Sequence, residues 1–90
     1  MDIRKVFGAN ARKFRLALEL SQEAVAERMG VDRAFISSME RGRQNVTLLT
    51  IWETAQALEV RPMDLLDEKT SKAKGKLWLR GLARKTLSDR

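Results

Sequence analysis

Residues 21–42 read SQEAVAERMGVDRAFISSMERG, and their spacing decides the fold. Ser21 offers a hydroxyl to the free amides of a helix start, and Glu23 falls in the first turn, where the helix dipole favours an anion. Val25, Ala26 and Met29 then recur at helical spacing and define a buried face. Gly30 follows directly, and glycine tolerates the left-handed conformation that stops a helix abruptly. Asp32 stands as the N-cap of a second helix, with Phe35, Ile36 and Met39 as apolar positions and Gly42 past its end. Only about three residues join the two helices, so they cross steeply and the second one projects from the domain.

The flanking sequence keeps the same period. Ile3, Phe7, Ala11, Phe14 and Leu18 recur at three- and four-residue steps, which predicts a helix from Ile3 to about Leu18. Downstream, the Thr47 hydroxyl caps a helix in which Leu48, Ile51, Ala55 and Leu58 share one face. Pro62 suits the first turn of a fifth helix containing Met63, Leu65 and Leu66. No segment alternates as a strand does, so residues 1–68 read as one all-α domain of five helices. From Glu68 to Gly75 the chain reads as a polar linker. Beyond it, Trp78, Leu79, Leu82, Ala83 and Thr86 share one arc and Lys76, Arg80 and Arg84 another. Residues 69–90 are therefore expected to be a basic linker and a C-terminal basic amphipathic helix.

Ninety residues suffice for one domain and a tail. With no cysteine and no histidine, no metal centre or cofactor is expected, and the commonest general base is missing. Catalysis would need carboxylates, lysines or serines converging in a pocket that five short helices hardly provide, so no enzyme activity is expected. There is no run of 18 apolar residues and no apolar segment after Met1–Lys5. A cytoplasmic protein without membrane contact is the plain expectation. The net charge of +6 points to a polyanionic partner, but its distribution matters more. Residues 69–90 carry eight Lys or Arg against one acid, whereas residues 1–68 carry ten bases and eleven acids. The domain itself is nearly neutral.

Two short helices joined around a glycine at this spacing form a helix-turn-helix, here residues 22–41, whose second helix enters the major groove of double-stranded DNA. Its N-terminal part reaches base edges, which makes Arg33, Ala34, Ser37 and Ser38 the candidate base contacts. Arg33 can donate two hydrogen bonds to guanine, and Ala34 can meet a thymine methyl. Arg41, Arg43, Gln44 and Asn45 follow that helix and border the groove as candidate backbone contacts.

The stretches Leu20-Ser21-Gln22, Val25-Ala26, Gly30-Val31, Ile36-Ser37, Met39-Glu40-Arg41-Gly42 and Ala55-Gln56-Ala57-Leu58 resemble the Cro/cI-type (XRE-like) helix-turn-helix regulators related to the lambda and 434 phage repressors. The resemblance covers roughly Val6 to Leu66. The run Glu40 to Leu48 also looks like the restriction-modification controller proteins, which are small and dimeric. Glu59 stands where the family often has glycine, and Val46 where proline is frequent. The resemblance implies a lambda-repressor-like domain and a structural pair between Arg15 and Glu40. It also implies a phosphate contact from Gln22, aided by the helix N-terminus. The protein is accordingly expected to regulate transcription as a homodimer on a palindromic operator, and to meet RNA polymerase if it activates. The alternative is a protein-interaction or antitoxin-like module on the same fold.

Leu49 and Trp52 lie off the expected core stripe of the fourth helix, and a second apolar strip implies a second partner. Two readings stand side by side: a dimer interface, or Trp52 covering the domain's own later helices. Trp78, Leu79 and Leu82 of the tail are further dimer candidates, while the tail's basic arc could track phosphates instead.

Overall fold

The computed structural model describes residues 1–71. These residues form six helices: α1 (Ile3–Ala17), α2 (Gln22–Met29), α3 (Arg33–Glu40), α4 (Leu48–Leu58), α5 (Pro62–Leu65) and α6 (Glu68–Ser71). No strand occurs among the described residues. The expected C-terminal helix, with Trp78, Leu79 and Leu82, lies outside them.

Local chemistry sets most helix ends. The Ser21 hydroxyl accepts from Ala24 N at 3.0 Å, and Thr47 Oγ1 from Thr50 N at 3.1 Å. Gly30 closes α2 at φ 69°, and Pro62 opens α5. Asp32 does precede α3, but its carboxylate makes no capping hydrogen bond. Glu59 ends α4 at φ 60° without the glycine this conformation favours.

Phe7, Ala11, Phe14 and Ala17 of α1 meet Val25 and Ala26 of α2, Ile36 and Met39 of α3, and Ala55, Ala57 and Leu58 of α4; Val60 and Leu65 complete the core. The core stripe of α4 differs from the expected one. Leu48 is 86% exposed, and the buried positions are Thr54, Ala55, Ala57 and Leu58. Residue 48 opens the helix, where no neighbouring element covers it. Ile3 and Met63 are likewise exposed near element starts, and Val31 is partly exposed.

Glu68–Ser71, read from sequence as the start of a polar linker, forms a helical turn with Thr70 buried. Its anchor is on α1. Asn10, fully buried, donates through Nδ2 to Leu65 O at 2.8 Å and Asp67 O at 2.9 Å, and Lys13 Nζ donates to the carbonyl oxygen of Ser71. Two polar side chains one helical turn apart thus hold the end of the described chain against α1.

At Gly8 the backbones of α1 and α3 come close together. A Cβ at Gly8 would stand 2.4 Å from Met39 O and 2.8 Å from Glu40 O, both backbone atoms. Gly8→Ala is therefore expected to force the two helices apart. Thermal unfolding should show a loss of about 2 kcal/mol, or roughly 10 °C in Tm, despite the better helix propensity of alanine. Glu59→Gly should do the opposite, raising stability by about 0.5–1 kcal/mol in denaturant unfolding because the left-handed strain is relieved.

Candidate nucleic-acid interface

The turn at Gly30 and the docking of α1 determine what α3 shows to solvent. Ile36 and Met39 are buried, whereas Arg33 and Ala34, at the free N-terminal end, are exposed. Positions 33, 34, 37, 38 and 41 share one helix face by their spacing. Ser37 and Ser38 on that face are half-buried, and Phe35 beside it packs partly onto the core. The side chains at the helix start and Arg41 at its end are therefore the accessible ones on this face.

Arg33 lines one shallow depression together with Ser21, Gln22 and Glu23 at the start of α2, with Arg15 behind them. The base-reading candidate and the α2 N-terminus accordingly open on the same side. Gln22 has a further tie there, because its Nε2 donates to Glu40 Oε1 at 3.1 Å. One amide hydrogen serves this internal bond, and a phosphate contact would use the other.

Glu40 is the centre of that network. Arg15 Nε reaches Glu40 Oε2 at 2.7 Å and Nη2 reaches Oε1 at 3.0 Å, while Nη1 donates to Leu20 O at 2.9 Å. Both side chains are almost fully buried, at 10% and 4% exposure. This two-pronged geometry fixes orientation as well as distance.

The segment after α3 carries the other polar candidates. Gly42, at φ 74°, turns the chain away from the helix. Arg43 and Asn45 are exposed on it, and so is Arg41 at the helix end, where its Nε donates to Ser37 O at 3.3 Å. Gln44 Nε2 donates to Ser38 Oγ at 3.1 Å, which links this segment back to the recognition face. Arg4 of α1 also reaches the segment: its Nη1 donates to Asn45 Oδ1 at 3.4 Å. The sequence gives no sign of that neighbour, because the two residues lie far apart in the chain.

On α4, Leu49 and Trp52 are 65% and 54% exposed. Trp52 borders a shallow groove of about 360 Å³ with Arg28, Met29, Glu53, Gln56 and Ala57. No helix among the described residues is long and apolar enough to cross a membrane.

Comparison with known proteins agrees with this architecture. The helix-turn-helix family model matches residues 12–65. The chain is 44% identical over 66 residues to an HTH-type transcriptional regulator, y4dJ, of Sinorhizobium fredii, covering 73% of this chain and 86% of that protein. It is 43% identical over 70 residues to the control protein C.BamHI of Bacillus amyloliquefaciens, covering 77% and 86%. Among solved structures, the restriction-modification controller protein C.AhdI of Aeromonas hydrophila superposes with a TM-score of 0.66 at 40% identity, over 69% of this chain and 94% of that one. The chain thus belongs to the helix-turn-helix family, among the XRE-like transcriptional regulators and restriction-modification control proteins.

Proposed function

We propose that this regulator binds double-stranded DNA sequence-specifically, as a homodimer on a palindromic operator. The observation that carries the reading is the exposed start of α3, where Arg33 and Ala34 face solvent and Arg33 shares a depression with the α2 N-terminus. An arginine there can take both major-groove acceptors of a guanine, a pairing worth ~1–3 kcal/mol of discrimination. Arg41, Arg43 and Asn45 on the flanking segment provide donors for phosphates, which position the protein without reading sequence.

Dimerisation is supported by the exposed apolar strip of Leu48, Leu49 and Trp52 on α4. A two-fold pair of such domains spaces its recognition helices by ~34 Å, one turn of DNA, and operator palindromy follows from that symmetry. Regulation of transcription is then by occupancy of the operator, with RNA polymerase as a partner where binding activates.

Selection of bound sites from random duplex DNA tests the readout. Arg33→Ala should relax preference at one base pair per half-site, whereas Arg43→Ala should weaken all sequences alike and lower the salt slope by about one. An unchanged base preference in Arg33→Ala would remove the residue from the base contacts. Trp52→Glu places a charge on an exposed strip and should leave the fold intact while sedimentation shifts from dimer to monomer; a dimer that survives it would move the interface elsewhere.

A further inference from the structure

The first turn of α1 lies beside the segment that follows the recognition helix. Arg4 Nη1 reaches Asn45 Oδ1 at 3.4 Å. Lys5 packs on Gly42 so closely that an added Cβ there would stand 2.8 Å from Lys5 Cγ. Arg4, Lys5, Arg41 and Arg43 are all exposed, so α1 adds two cations to the edge that Arg41 and Arg43 occupy. Arg4 thereby orients the Asn45 amide, whose NH2 is the only part of that side chain able to donate to an anion.

Arg4 is held in a particular way. Asp2 takes the guanidinium side-on, with Nη2 to Oδ2 at 2.9 Å and Nε to Oδ1 at 3.2 Å. The same planar fork binds carboxylate and phosphate alike. Asp2 also accepts from Arg4 N at 3.0 Å and so caps α1. Hydrogen bonding from Arg4, through both its side chain and its backbone, holds the Asp2 carboxyl below its ordinary value.

We propose that Arg4 contacts a phosphate of bound DNA, and that Asp2 occupies its guanidinium in the free protein as an internal stand-in for that phosphate. The proposal rests on the DNA-binding reading above. The pair is well exposed, at 45% and 33%, so solvent screens the attraction and little opposes an exchange of partners. A DNA phosphate offers in return the release of a condensed counterion, which the carboxylate does not. Asp2 thereby keeps the arginine extended along the edge of α1, beside Asn45, and is displaced when the backbone arrives.

The test is a double-mutant cycle in the full chain, titrated against its selected site and against a mixed-sequence duplex of equal length. Arg4→Ala should weaken both by a similar factor and lower the salt slope by about one, so that the affinity lost between about 50 and 200 mM salt shrinks roughly threefold. Asp2→Asn keeps the helix cap and should raise affinity about two- to threefold by freeing the arginine. That gain should vanish in the Arg4→Ala background. Glu59→Gln, which makes the same change of charge at the far end of α4, should not reproduce it. An unchanged slope in Arg4→Ala, or a gain from Asp2→Asn that persists without Arg4, overturns the proposal. If Arg33→Ala and Arg43→Ala behave as expected while Arg4→Ala is silent, only this proposal falls. A parent chain without salt-dependent DNA affinity removes the functional reading itself.

Discussion

The contact of α1 with the C-terminal end of α3 is the constraint on which the rest of the molecule depends. Gly8 lets the two backbones approach more closely than any side chain would permit. Seven residues further along the same face of α1, Arg15 grips Glu40, the last residue of α3, with two hydrogen bonds. A buried pair of this kind adds little net stability, because desolvation offsets much of the attraction. Its value is directional. Leu20 O and Gln22 share the same charged centre, so the turn before α2 and the start of α2 are fixed together with α3. Loss of either charge would strand the other in a buried site, which typically costs about 3–5 kcal/mol.

A nearly neutral domain can still present a basic edge, because placement and not number sets the local charge. Its acids and bases balance in number, and Arg15 and Glu40 neutralise each other in the interior, while Arg33, Arg41 and Arg43 stay exposed on the recognition helix and the segment after it. Fixed placement of a few cations favours defined register on the duplex, whereas a diffuse excess of charge favours sequence-independent attraction. The strongly basic residues 69–90 are of the second kind in composition.

Elements whose ends depend on neighbouring residues alone were legible from sequence. Ser21, Gly30, Thr47 and Pro62 act where expected, since a cap or a turn needs only the adjacent backbone. Glu59 marks a limit of that logic: its left-handed conformation is imposed although the residue disfavours it, because Val60 beyond it is fully buried in the core. Periodicity correctly marked which face of a helix turns inward, but not how far the covering neighbour extends. Leu48, Ile3 and Met63 lie on apolar stripes at element starts that no described element covers. The same limit hid α6, whose sequence is polar and whose position is set by Asn10 and Lys13 on a distant helix.

The sequence by itself determined the helix-turn-helix, its order of elements and the residues at the exposed start of α3, because those follow from local spacing and from the glycine at the turn. It also carried the family resemblance. Only the tertiary structure decided which polar residues face each other. Gln22 joins Glu40, Gln44 joins Ser38, and Arg4 stands between Asp2 and Asn45. The physical reason is that a hydrogen bond depends on position and direction in space, and for residues 41 apart in sequence these exist only once the helices have packed.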